Sequence, residues 1–135
     1  MRETKALLEL NAQHTTQMAN ILCIGIDESS MTARSSALQR AGHTVSQARD
    51  IRQVEAACSG IQFDVILIGQ SLPAKEKLRV YEMVRQSNCG AKILELHTGS
   101  EPELTGTDAD LRVNGGVPEA LMEIVNRLTA RRKTA

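Results

Sequence analysis

Two adjacent carboxylates, Asp27 and Glu28, follow the apolar run ILCIGI. Acids at the end of a strand can hold a hard cation through oxygen ligands. Acids at a helix start also have a structural use, because they complement the N-terminal dipole. His97 closes a second apolar run, AKILELH, and Thr98 follows it. An imidazole there can accept a phosphoryl group, bind a metal or simply hydrogen-bond. No second His or Cys stands at ligand spacing, and a metal site needs several ligands. Hydrogen bonding is therefore the plainer role, and no metal site is assigned. The stretch FDVILIGQSLP, residues 63–73, reads as a strand running into a proline-closed loop, yet it delivers Gly69, Gln70 and Ser71 where an acid would act. Asp64 lies at the amino end of that strand, across the sheet from its carboxyl end. Gly-rich phosphate loops are absent, because GIDESS fits neither GxGxxG nor GxxxxGK[ST]. No GxSxG elbow and no nucleophile–base pair are identifiable. The expectation is a protein that is not an enzyme and needs no cofactor.

Composition narrows the classes further. Sixteen basic and sixteen acidic residues give a formal net charge of zero, so no global field attracts a polyanion. Aromatics are limited to Phe63 and Tyr81, which argues against stacking on single-stranded nucleic acid. The run Arg131-Arg132-Lys133 reads as a solvated tail. No nucleic acid partner is expected. Cys23, Cys58 and Cys89 are far apart, with no CxxC, which suits a reducing compartment. No signal peptide or membrane-length apolar run is present. A cytoplasmic location is expected, with no membrane partner.

The elements that position these residues alternate. After an arm or short helix over residues 1–19, carrying Leu7, Leu8 and Leu10, a domain spans 20–132, with a tail at 133–135. ILCIGI is a strand covered on both faces. A helix follows, capped by Ser29 or Ser30, with Met31, Arg34, Ala37, Leu38 and Ala41 on one side and Gly42 at its end. HTVSQA is a second strand. Asp50 with Gln53 forms a capping box for a helix over 51–58. FDVILIG is the third strand, and KEKLRVYEMVRQSN a helix with Leu78, Tyr81 and Val84 inward. AKILELH is the fourth strand. TGSEPELTGTD is rich in Gly and Pro and has room for one helical turn, around 101–104. ADLRV is the fifth strand, and Gly115-Gly116 turns the chain. Pro118 starts a last helix with Val117, Leu121, Ile124, Val125 and Leu128 on its stripe. Such alternation makes an α/β, doubly wound parallel sheet.

From Asn20 to about Arg131 this layout resembles the receiver domain of bacterial two-component response regulators. The resemblance is carried by ILCIGIDES, ALQRAGHTV, FDVILIGQSLP and VPEALMEIVNRL. It implies a flavodoxin-like five-stranded sheet of order 2-1-3-4-5, here with a shortened fourth helix. It also implies a site with an acidic pair for Mg²⁺, a phosphoaccepting Asp, a hydroxyl and a Lys. In this sequence the pair falls on Gly25 and Ile26, the acceptor on Gly69, the hydroxyl on His97 and the Lys on Asn114. Every position has changed type, so the resemblance implies the fold and removes the phosphorylation chemistry. Asp27, Glu28, Gln70 and Thr98 are what remains as a residual cleft. A phosphocysteine carrier of the sugar-transport type has a similar layout, but Cys23 lies inside its strand.

The reading that follows is a pseudo-receiver in signal transduction or gene regulation, working through a protein partner, either a signalling protein or a second copy of itself. The alternative is a small-ligand or metal-binding switch that reuses the strand-end cleft.

Overall fold

The computed structural model describes residues 18–88, 90–114 and 117–130. The expected N-terminal arm, Cys89, the Gly115-Gly116 turn and the basic tail lie outside the described residues. Five parallel strands form one sheet: β1 (Asn20–Ile24), β2 (Thr44–Ala48), β3 (Val65–Ile68), β4 (Lys92–His97) and β5 (Ala109–Arg112), in the order β2-β1-β3-β4-β5. Four helices are present among the described residues: α1 (Glu28–Arg40), α2 (Ile51–Gly60), α3 (Ala74–Ser87) and α4 (Glu119–Thr129). The parallel sheet is the one expected from the alternation, and its order is the flavodoxin-like one that the resemblance implies.

Strand composition follows from coverage. β1 and β3 are central and wholly apolar after Asn20, because helices cover both faces of the sheet. Leu22, Ile24, Ile66, Ile68 and Ile93 pack with Val54, Cys58, Val80 and Val84, side chains of α2 and α3. Ile21, Cys23, Val65, Leu67 and Leu94 pack with Met31, Leu38, Leu121 and Val125, side chains of α1 and α4. The two clusters are the two faces, separated by the period of two along each strand. β5, an edge strand, shows the alternation of a half-covered one.

Helix starts follow local chemistry. The capping pair Asp50–Gln53 is present: Gln53 N donates to Asp50 Oδ1 at 2.9 Å, and Arg49 N donates to Gln53 Oε1 at 2.7 Å. α1 departs from expectation. Its cap is Asp27 rather than Ser29 or Ser30, because the Asp27 carboxylate accepts from Ser30 N. Along α1 the buried residues are Ser30, Met31, Arg34, Ser35 and Leu38, while Ala41 is exposed.

Two further departures share one cause. The buried residues of α3 are Lys77, Val80 and Val84, a stripe spaced three and four residues apart. Leu78, expected inward, points out and is 49% exposed. Lys77 takes an inward place because its ammonium reaches Glu95 Oε2 and Leu96 O, each at 2.8 Å, and Glu103 Oε1 at 2.9 Å. Glu95 in turn accepts from Glu103 N at 2.9 Å and Leu104 N at 3.0 Å. The segment between β4 and β5 contains no helix at all, so the expected shortened fourth helix is replaced by a series of bends. Its backbone donors are held by Glu95, and its buried apolar contribution is Leu104. Its far end is tied by Arg85, which donates to Gly106 O at 3.0 Å, and by Asp108 Oδ2, which accepts from Ile93 N at 2.7 Å. Gly106 has φ +85°, and a Cβ there would stand 2.7 Å from the Tyr81 hydroxyl.

The Lys77–Glu95 pair predicts a specific stability pattern. Lys77→Met leaves Glu95 buried without its cation and should cost about 3–5 kcal/mol. Lys77→Met with Glu95→Leu should recover part of that loss while loosening the 98–108 segment. Urea unfolding midpoints measure the first effect, and amide exchange at Glu103 and Leu104 the second.

Candidate functional site

The strand ends are built by packing of the loops after β1 and β3. Gly69 N donates to Ile24 O at 2.7 Å, so the backbone leaving β3 lies directly against the end of β1. A Cβ at position 69 would sit 2.7 Å from Ile24 O. The glycine is required by this close approach. Two residues on, Ser71 Oγ accepts from Ile26 N at 2.9 Å and Asp27 N at 3.1 Å. The hydroxyl of one loop thus satisfies the first free amides of the other. Gly25 is enclosed as well, since a Cβ there would stand 3.2 Å from Ser71 Oγ and from Met31 Sδ.

Arg34 fills the space beside Gly69. It is buried, its guanidinium donates to Gln70 Oε1, and its Nη1 would lie 3.3 Å from a Cβ on Gly69. Burial lowers the Arg34 pKa, an effect opposed by nearby Cys23 and Asp27. A cation of fixed position therefore stands where the strand end would otherwise present an acid. Its Nε has no hydrogen-bond partner among the described residues.

The remaining predicted site residues disperse their chemistry locally. The Asp27 carboxyl is held below its ordinary value by the Ser30 hydroxyl and then by the Ser30 backbone N–H. It caps α1, which is the structural use of an acid at that position. Glu28 is exposed and pairs with Arg49 at 3.4 Å. Ile26 is 52% exposed. His97 is buried and has both ring nitrogens occupied: Nδ1 lies 3.0 Å from Gly99 O, and Nε2 lies 2.9 Å from Asp110 Oδ1. It ties β4 to β5 and has no hydrogen bond with Asp27. Thr98 and Asn114 are exposed. His97 and Thr98 join Gln70, Lys77 and Glu103 around a small cavity of about 120 Å³ between the loops after β3 and β4. No cluster of three or more His, Cys, Asp or Glu able to hold a metal exists among the described residues. No helix there is long and apolar enough to cross a membrane.

Three residues central to this arrangement were not singled out from sequence as site residues: Arg34, Ser71 and Lys77. An Arg on the apolar side of a helix was the available signal for Arg34. For Lys77 it was Glu95 inside an otherwise apolar strand.

No protein-family model matches the sequence, and no curated protein does. Solved structures do. The chemotaxis response regulator CheY4 of Vibrio cholerae is 28% identical, with a TM-score of 0.71, over 82% of this chain and 98% of that one. A putative response regulator from Chloroflexus aurantiacus is 19% identical, with a TM-score of 0.72, over 84% and 99%. Response regulator TrrA from Thermotoga maritima, solved with Mg²⁺ and BeF, is 20% identical, with a TM-score of 0.69, over 82% and 99%. The chain has the receiver-domain fold of response regulators.

Cys23 gives this end of the molecule a pH signature. Burial pushes its thiol from the ordinary 9.0 up to about 11. Folding therefore favours the protonated thiol. That contribution is complete below pH 9.0, and it is lost as pH rises toward about 11. The urea midpoint should fall over this window and fall less in Cys23→Ala. At pH 8, Cys23 should react with a thiol reagent only after unfolding.

Proposed function

We propose that this chain is a pseudo-receiver: a signal-transduction protein of the response-regulator type that acts by protein–protein interaction without accepting phosphate. The structural likeness to response regulators supports the signalling role. The observation that carries phosphate independence is the packing at Gly69. An acceptor carboxylate there needs a Cβ, and that Cβ meets the Ile24 carbonyl oxygen on one side and the Arg34 guanidinium on the other. The partners a phosphoryl group needs are also missing. Gly25 and Ile26 offer no carboxylates, Asn114 offers no cation, and Asp27 is committed to its cap. Phosphoryl transfer depends on positioned charge that neutralises the transferring oxygens, and the cations at this edge, Arg34 and Lys77, are already engaged by Gln70 and by Glu95 and Glu103.

The same absence of a reacting pair supports a non-enzymatic role. It also weighs against a ligand switch. The strand-end cavity is small, and the side-chain nitrogens of Lys77 and His97, two of its lining residues, already have protein partners. What remains for function is surface, within a bacterial signalling or gene-regulatory context.

A direct test is an amide NMR titration with Mg²⁺ and then with Mg²⁺ plus beryllofluoride. The expected result is no saturable shift at residues 25–28, 69–71 or 97. Saturable shifts there would replace this reading with a rewired switch. Gly69→Asp supplies a second test. It should destabilise the fold by about 1–3 kcal/mol through overpacking. It should also stay unlabelled by a small phosphodonor. Labelling of that variant at Asp would show that the remaining site still functions.

A further inference from the structure

We propose that the outward face of α3 is a self-association surface, on which a second copy of this chain docks antiparallel. The proposal rests on the surface-acting reading above and assigns that role to one element. α3 carries six charged side chains: Lys75, Glu76, Lys77, Arg79, Glu82 and Arg85. Four are engaged within the chain. Lys77 meets Glu95 and Glu103, Arg79 meets Glu76 at 3.3 Å, and Arg85 meets Asp108 at 3.3 Å while lying over the Tyr81 ring. Lys75 and Glu82 are exposed and have no ion-pair partner among the described residues. They are seven positions apart, so they stand on one side of the helix about 10.5 Å from each other along its axis, too far to pair.

Between them lies Leu78, 49% exposed. Beside it runs a groove of about 330 Å³, lined by Ala74, Tyr81, Leu104 and Thr105, in the place left open by the missing helix between β4 and β5. Arg79, 60% exposed and held by Glu76, flanks this stripe, which otherwise reads positive, apolar, negative. That pattern is self-complementary under a two-fold axis. A copy turned antiparallel sets Glu82 of the partner subunit against Lys75 and brings the two Leu78 side chains together beside the grooves. A parallel copy would oppose like charges. Isologous contacts of this kind need only one patch. One helix face is small compared with a standard interface, so the association is weak and sensitive to salt.

Sedimentation equilibrium of the full chain, from about 20 µM to about 1 mM, reads the proposal. The wild type should pass from monomer to dimer within that range. Lys75→Glu and Glu82→Lys should each weaken dimerisation at least about tenfold, and the double variant should return to within about threefold of wild type. All altered side chains are exposed, so circular dichroism should show unchanged folding. A monomer throughout, or a dimer indifferent to the single swaps, or no recovery in the double variant, overturns the proposal. Its failure is separable from failure of the phosphate-independent reading. That reading falls on a beryllofluoride response, whatever the state of association.

Discussion

A charged pair inside the sheet's apolar face governs much of this molecule. Glu95 and Lys77 are both essentially excluded from water. Removing two charges from water costs several kcal/mol per ion, and only a complete set of partners offsets that. Here the set is complete. The ammonium has three oxygen acceptors, and the carboxylate accepts two backbone amides besides the ammonium. The pair consequently fixes geometry in three places. It fixes the rotation of α3, because Lys77 must face the sheet. It fixes the outward position of Leu78 as the consequence of that rotation. It fixes the path after β4, because the amides of Glu103 and Leu104 must come to Glu95. A helix between β4 and β5 is not needed once this segment is held by a carboxylate at one end and by Arg85, Tyr81 and Asp108 at the other.

The strand ends follow the same logic of internal satisfaction. A site that binds ligands leaves polar groups free to meet them. Here Ser71 occupies the amides after β1, Asp27 occupies the start of α1, and His97 bridges to Asp110 and Gly99. Gln70 receives the Arg34 guanidinium. The loops that carry chemistry in receiver folds are used here to hold one another. Gly69 is the hinge of that change, since its missing side chain allows β3 to close on the Ile24 carbonyl. Packing thus accounts for a glycine at the end of the strand in FDVILIGQSLP.

Much of this was legible in the residues alone. The alternating strands and helices came from apolar runs alternating with amphipathic ones, the strand order from the resemblance to receiver domains, and Asp50 with Gln53 marked its helix start. The misses have physical reasons. Three acids or hydroxyls in the row DESS all qualify as caps, and backbone dihedrals choose among them. Val84 is buried and Tyr81 packs against the core as expected, but Leu78 outranks Lys77 on any hydrophobic scale, so periodicity put Leu78 in the inward place that Lys77 takes. Only a contact between α3 and the next strand, β4, eighteen residues on, reverses that preference. Arg34 was placed on the correct face, but its role depends on a loop 35 residues away that no local pattern reveals. His97 fell to its plainer role, hydrogen bonding, though its partner Asp110 belongs to a different strand.

A phosphate-driven switch needs two arrangements of its loops, close enough in free energy for a ligand to choose between them. The constraints here act against a second arrangement. Moving the loop after β3 would strip the Ile26 and Asp27 amides of Ser71 and leave the buried Arg34 without Gln70. Moving the segment after β4 would remove two amides from a buried carboxylate. The exposed Ile26 and Asp27 amides would turn to water, but the buried Arg34 without Gln70, and the buried Glu95 without the Leu104 amide, would be left short of a partner away from water, at roughly 1–3 kcal/mol apiece or more for these charged groups. The energy gap that holds one arrangement rises with every such group. A receiver fold stabilised in this way would present a constant surface, which is what the proposed recognition role requires.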